Sequence, residues 1–154
     1  MFIYGRNMED TDYISVVPLD VLPSPFGCSV FFKTSSKIFV INMDSSKFDN
    51  IKWALDDIYC ERPTTFEFMR SMLEGMHCDV ARVDFYNEED GVFFTRVTLA
   101  IQSVFESKIV EIDSRPSDAI PLALRCGSSI YIDRNLLDRL DDVSETYYKL
   151  KENI

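Results

Sequence analysis

Cations are scarce in this chain: 16 Lys and Arg stand against 26 Asp and Glu, for a formal net charge of −10. A passive nucleic-acid binder gains affinity by neutralising phosphates with clustered Lys and Arg, and no basic run or basic–aromatic interleaving is present. The charge therefore argues against such a binder. It leaves an acidic nuclease open, because carboxylates can hold a divalent metal that bridges to a phosphate. Histidine is nearly missing as well. The one residue, His77, has no neighbouring His, Cys or paired carboxylate in sequence, so it reads as a helix-terminal residue in the left-handed region rather than as a base or ligand. The four cysteines, Cys28, Cys60, Cys78 and Cys126, include no Cys-x-x-Cys pair, which removes the usual zinc and redox motifs. They read as reduced, mostly buried small hydrophobes. No apolar run is long enough for a signal peptide or approaches the ~20 residues of a membrane span, so a cytoplasmic protein without membrane contact is expected.

What is present is enough for one continuous core: 154 residues, 46% of them hydrophobic. Residues 1–11 show no period and read as a loose leader, 12–140 as the domain, and 141–154 as a polar tail compatible with a helix. Alternation predicts strands over 13–20, 28–33 and 37–42, the last two a hairpin across Thr34-Ser35-Ser36. Ser45 or Ser46 is placed to cap a helix to about residue 59, with Phe48, Ile51, Leu55 and Ile58 on one face. Thr64 and Glu67 form a capping box for a second helix whose stripe is Phe66, Met69, Leu73 and Met76. Strands over 80–86 and 92–105 pair across a turn closed by Asp90-Gly91. A strand over 109–113 follows, then a helix, a strand over 130–132, and a helix opened by Asp133. Strands joined by hairpins rather than regular βαβ alternation predict an α+β fold, a single domain with a mostly antiparallel or mixed sheet and packed helices.

Between the 109–113 strand and the next helix lies Asp113-Ser114-Arg115-Pro116-Ser117-Asp118-Ala119-Ile120. Pro116 suits the first helical position, Asp118 falls in the first turn where a carboxylate can reach back to free N–H groups, and Gly127 supplies the stop. This run resembles the signature of the bifunctional nuclease family. So does the order of Arg62-Pro63-Thr64-Thr65, Met69 to Leu73, Asp90-Gly91 and Ile130-Tyr131-Ile132. The resemblance implies an α+β domain, a homodimer, and divalent-metal-dependent hydrolysis of phosphodiester bonds in RNA or DNA, with Mg²⁺ or Mn²⁺ as cofactor. The chain departs from the family pattern at Lys47, usually Glu, at Phe66, often His, at His77, usually Gly, and at Pro121, usually Ala.

Arg62-Pro63-Thr64 and Arg115-Pro116-Ser117 are near copies, each setting an Arg before a Pro-led helix. Helix starts present free N–H groups and partial positive charge, so each is an anion-favouring site, and a phosphodiester fits between them if they converge. On this reading Arg115 and Arg62 hold phosphate, with Thr64 and Ser117 as hydrogen-bonding groups. Asp113 and Asp118, with Glu111 on the same strand face as Asp113, are the candidate metal ligands. Asp113, Arg115 and Asp118 are thus the candidate catalytic set. The alternative is a noncatalytic dimeric interaction or regulatory module, in which Asp118 is only a helix cap and Arg115 its salt-bridge partner.

Overall fold

The computed structural model describes the backbone of Phe2–Ile3 and residues 12–153. Its strands are β1 (Phe2–Ile3), β2 (Tyr13–Ser24), β3 (Gly27–Lys33), β4 (Ile38–Met43), β5 (Cys78–Glu89), β6 (Val92–Gln102), β7 (Ser107–Ser114) and β8 (Ser129–Asp133). They form one sheet in the order β1-β7-β6-β5-β8-β2-β3-β4. The β5–β8 pair is parallel and the others are antiparallel, so the sheet is mixed and the fold is α+β. The helices are α1 (Phe48–Leu55), α2 (Thr65–Gly75), α3 (Pro116–Cys126), α4 (Arg134–Arg139) and α5 (Ser144–Glu152). None is long and apolar enough to cross a membrane. The expected leader lies outside the described residues except at Phe2–Ile3, which pair with β7 at Ile112 and Glu111.

The alternation of β5, β6 and β8 decides where the core lies. Val83, Phe85, Val97, Ile130 and Ile132 point to one face and pack with Ile51, Phe66, Ala119, Ile120 and Leu136 of α1 to α4. On the other face α5 covers the β2–β3–β4 end, where Tyr147 meets Phe31 at 5.0 Å between ring centroids. The tail is therefore helical and docked.

Local differences from the sequence expectation have local causes. β2 runs through both Pro18 and Pro23, because it pairs with β8 only as far as Val16 and with β3 only from Val17, so each proline has one unpaired edge for its missing N–H. Asp44, not Ser45 or Ser46, caps the turn before α1, accepting from Ser46 N at 2.9 Å. α1 stops at Leu55 rather than near residue 59. Asp56 and Asp57 face the negative end of the helix dipole, and Asp57 takes φ 53°, which leaves Ile58 exposed. The α2 stripe is buried at Phe66, half-buried at Met69 and Leu73, and exposed at Met76. His77 does take the left-handed conformation, φ 53°. Asp90 and Gly91 both have positive φ, the type I′ pattern that matches strand twist. Gly27 is required by space, since a Cβ there would lie 2.0 Å from Met43 O.

Candidate phosphate-binding site

The signature junction folds as its residues dictate. Arg115 is extended, Pro116 opens α3, and Gly127 at φ 65° closes it. Asp118 does not reach back to the backbone: its Oδ2 accepts from Arg115 Nε at 2.8 Å, so the pair braces the first turn through side chains. Asp118 N and Ala119 N both donate to Arg115 O, at 3.0 and 2.9 Å. That leaves the Ser117 N–H and hydroxyl as first-turn donors for a ligand. Pro121 is accommodated inside the helix and buried.

A recess of about 320 Å³ opens at this helix start, lined by Lys47, Arg115, Pro116 and Ser117 together with Asn42, Asp44 and Gly91. Two cations therefore share one recess with a helix N-terminus and a hydroxyl. Lys47, the residue that departs from the family pattern and would repel a metal, becomes here a second charge for an anion. Asp44 opposes it. Hydrogen bonds from Ser46, first its hydroxyl and then its N–H, with a smaller contribution from Lys47, hold the Asp44 carboxyl below the usual carboxylate range. The recess thus carries one permanent negative charge, committed to capping the turn before α1.

The second helix start is not part of this site. Thr64 N donates to Glu67 Oε2 at 2.6 Å, the reach-back arm of the expected capping box. Glu67 Oε1 lies 3.3 Å from Arg125 Nη2, in a pair whose side chains are 9% and 3% exposed. Arg125 also donates to Ile58 O at 2.5 Å and lies over the Tyr59 ring, 4.7 Å from its centroid. Arg125 is in the last turn of α3, so this latch holds the start of α2 at the far end of α3 from Arg115. Ten residues of helix separate the two arginines, about 15 Å at 1.5 Å per residue. Arg62 and Thr64 are therefore not brought to the recess, and the condition for a phosphodiester between the two helix starts, that they converge, is not met.

The acidic residues are divided as well. Register pairs Arg96 with Asp113 and Val97 with Ile112, and Val97 belongs to the helix-covered core. Asp113 and Glu111 consequently project to the opposite face, whereas Asp118 lies beside Ile112 and Ser114 on the helix side. On that open face Asp113 Oδ1 accepts from Tyr86 OH at 3.0 Å, and Arg96 Nε is 3.7 Å from Glu111 and 3.9 Å from Asp84. Arg82 Nε donates to the fully buried Asp84 at 2.7 Å and lies over the Tyr131 ring. Burial pushes the Asp84 carboxyl up, and Arg82 and Arg96 work against the rise. The sequence reading singles out only Glu111 of this Arg82–Asp84–Arg96–Glu111 network. Its signal was charged residues alternating with Val83, Phe85 and Val97.

Asp113, Glu111 and Asp118 do not fit a single cation. Two are engaged by Arg96 and Tyr86 on one face, and the third by Arg115 on the other. Among the described residues no group of three His, Cys, Asp or Glu is gathered closely enough to hold a metal ion.

Fold and recess together define an α+β domain with a polar recess at a helix start. The sequence profile of the bifunctional nuclease domain matches residues 30–144, most of the chain and all of α3. The chain belongs to that family. No curated protein matches it.

Proposed function

We propose that this domain acts on the phosphodiester backbone of RNA or DNA, holding a phosphate in the recess at the start of α3. The observation that carries the reading is the meeting of Lys47, Arg115 and Ser117 at one helix N-terminus. Arg115 has guanidinium donors to spare beyond its Nε bond to Asp118, and a planar fork suits phosphate oxygens. Lys47 adds a point charge, Ser117 adds neutral donors, and the helix start adds a fixed partial charge. The same groups would stabilise charge developing on a phosphoryl centre during cleavage. Membership of a nuclease-type family supports that extension.

A second reading, a noncatalytic and dimeric interaction module on the same scaffold, is favoured by the scattering of the three carboxylates and by the exposed row Phe68, Met72 and Met76 along α2. One experiment separates the two. Binding of a fluorescent single-stranded oligonucleotide is followed by anisotropy, and its integrity by gel, for the wild type, Arg115→Ala and Lys47→Gln. Binding and cleavage that both fall in the variants support a nuclease. Binding that falls with no cleavage in any of the three assigns the module. Equal binding by all three removes the recess from consideration.

A further inference from the structure

The helical layer leaves one side of α2 bare. Thr65, Phe68, Met72 and then Gly75 and Met76 recur at spacings of three and four, so they form one strip along the helix, and all five are exposed. None is charged. The charged residues of α2 lie elsewhere on it and are paired, Arg70 with Glu74 at 2.7 Å and Glu67 with Arg125. Nothing in the fold requires Gly75: its backbone is not left-handed, and a Cβ there would meet nothing within 4 Å. A glycine in an exposed helix costs stability, and close approach of a neighbour is what offsets that cost.

The strip ends against a hairpin tip. Four hydrogen bonds close the turn between β6 and β7: Ser103 N and Ser103 Oγ donate to Glu106 O at 2.9 and 3.0 Å, and Phe105 N and Glu106 N donate to Ser103 Oγ at 3.3 and 3.0 Å. The centre of this turn is Val104 and Phe105, where Gly, Asn or Asp is usual, and they are 94% and 96% exposed. With Met76 and Ile101 they wall a concavity of about 780 Å³.

We propose that this strip is the seat of a two-fold dimer, in which α2 lies antiparallel to α2 of a second copy with the axis at Met72. The inference goes beyond the phosphate reading and does not rest on it. Three observations select a copy of the chain as the occupant. The strip is symmetric about Met72, with Phe68 four residues before it and Met76 four after, each about 6 Å along the helix at 1.5 Å per residue. An antiparallel copy therefore brings its Phe68 level with Met76, which opens onto the concavity walled by Val104 and Phe105. Knob and hole are on the same chain, and the two-fold makes both contacts at once. Next, a charge close to a two-fold axis meets itself, and on a chain of net charge −10 this strip carries none. A partner recruited by opposite charge would instead find carboxylates along it. Finally, Gly75 comes level with the copy's Met69, so the bare backbone faces a half-buried, adaptable side chain.

The test is sedimentation velocity of the full chain across micromolar concentrations, for the wild type, Met72→Glu, Phe68→Ala and Val17→Glu. The wild type is expected to be a dimer. Met72→Glu sets two carboxylates face to face on the axis and should leave a monomer that still unfolds cooperatively, because Met72 is exposed. Phe68→Ala should raise the dissociation constant roughly ten-fold or more. Val17→Glu, at an exposed apolar position on β2, should dimerise as the wild type does. Register is read in a Cys60→Ser background, which removes the exposed thiol, carrying either Met72→Cys or Glu74→Cys. Diamide accepts the two thiol hydrogens as a disulfide forms across the axis in Met72→Cys. Glu74→Cys, about 200° around the helix from Met72, should stay largely uncoupled. A wild type that is monomeric at every concentration would overturn the proposal. So would a dimer that survives Met72→Glu, a dimer lost in Val17→Glu, or equal coupling from both cysteine variants.

Discussion

If two cations in the recess contact phosphate, the salt dependence of binding should count them. For single strands log K falls with log[salt] by roughly 0.7 per neutralised phosphate, so Lys47 and Arg115 together give a slope of about −1.4. Between 50 and 200 mM KCl that is about a seven-fold loss of affinity. Lys47→Gln keeps the bulk and removes the charge, so its slope should be about −0.7 and its loss about three-fold. The overall charge of −10 complicates the absolute slope, because screening long-range repulsion strengthens binding as salt rises. That contribution is nearly common to both proteins and cancels in the difference. Lys47 makes no salt bridge among the described residues, so its removal strands no carboxylate. Anisotropy of a labelled 12-mer at four KCl concentrations measures both slopes. Identical slopes would refute the placement of Lys47 at a phosphate, whatever the absolute affinities.

Asp44→Asn should raise oligonucleotide affinity a few-fold at low salt without loss of thermal stability, because Asn caps as well as Asp while removing the opposing charge from the recess. Lower affinity would mean that Asp44 contacts the ligand. Arg125→Met should cost about 3–5 kcal/mol by leaving Glu67 buried and unpaired, which for this chain length lowers Tm by roughly 6–20 °C. Adding Glu67→Gln should restore part of that loss, and a purely additive double variant would show that the pair is not coupled. Asp20 is held below the usual carboxylate range: burial pushes it up, but hydrogen bonds from Lys151, Lys52 and Val21 N outweigh that. Its contribution to stability is therefore present above the ordinary value of 3.8 and lost as pH falls through the folded value. In Asp20→Asn the acid limb of the urea-unfolding profile should flatten, and an unchanged limb would assign acid sensitivity elsewhere.

How much of this was legible in the sequence depended on the range of the interaction. The α3 start needed only neighbours in the chain, and Pro116, Gly127 and the Thr64–Glu67 box all took the roles their types dictate. The non-convergence of the two Arg-Pro segments was not legible, since it is set by Arg125 reaching Glu67 across 58 positions of sequence. The separation of Asp113 from Asp118 was within reach. Val110 and Ile112 alternate with Glu111 and Asp113, so once the apolar pair faces the helices the acids must face away. Counting five residues between the aspartates across a turn missed that the strand ends on one face and the helix packs on the other.

The charge balance itself illustrates why composition constrains function only loosely. Arg82, Arg96 and Arg125 are largely enclosed by Asp84, Glu111 and Glu67, while Lys52 and Lys151 converge on Asp20. Arg70 and Lys149 are tied to Glu74 and Glu145 within their own helices. These seven cations are thus tied to carboxylates of the fold itself. Among the described residues Lys47 makes no salt bridge, and Arg115 is paired with Asp118 along one edge, with its side chain 73% exposed. An acidic protein can therefore present a local positive site where two cations meet one helix start. If the proposed site binds an oligonucleotide, the molecule would repel it at long range and hold it by one turn at contact, which predicts slow association and a strong dependence on the two residues at that turn.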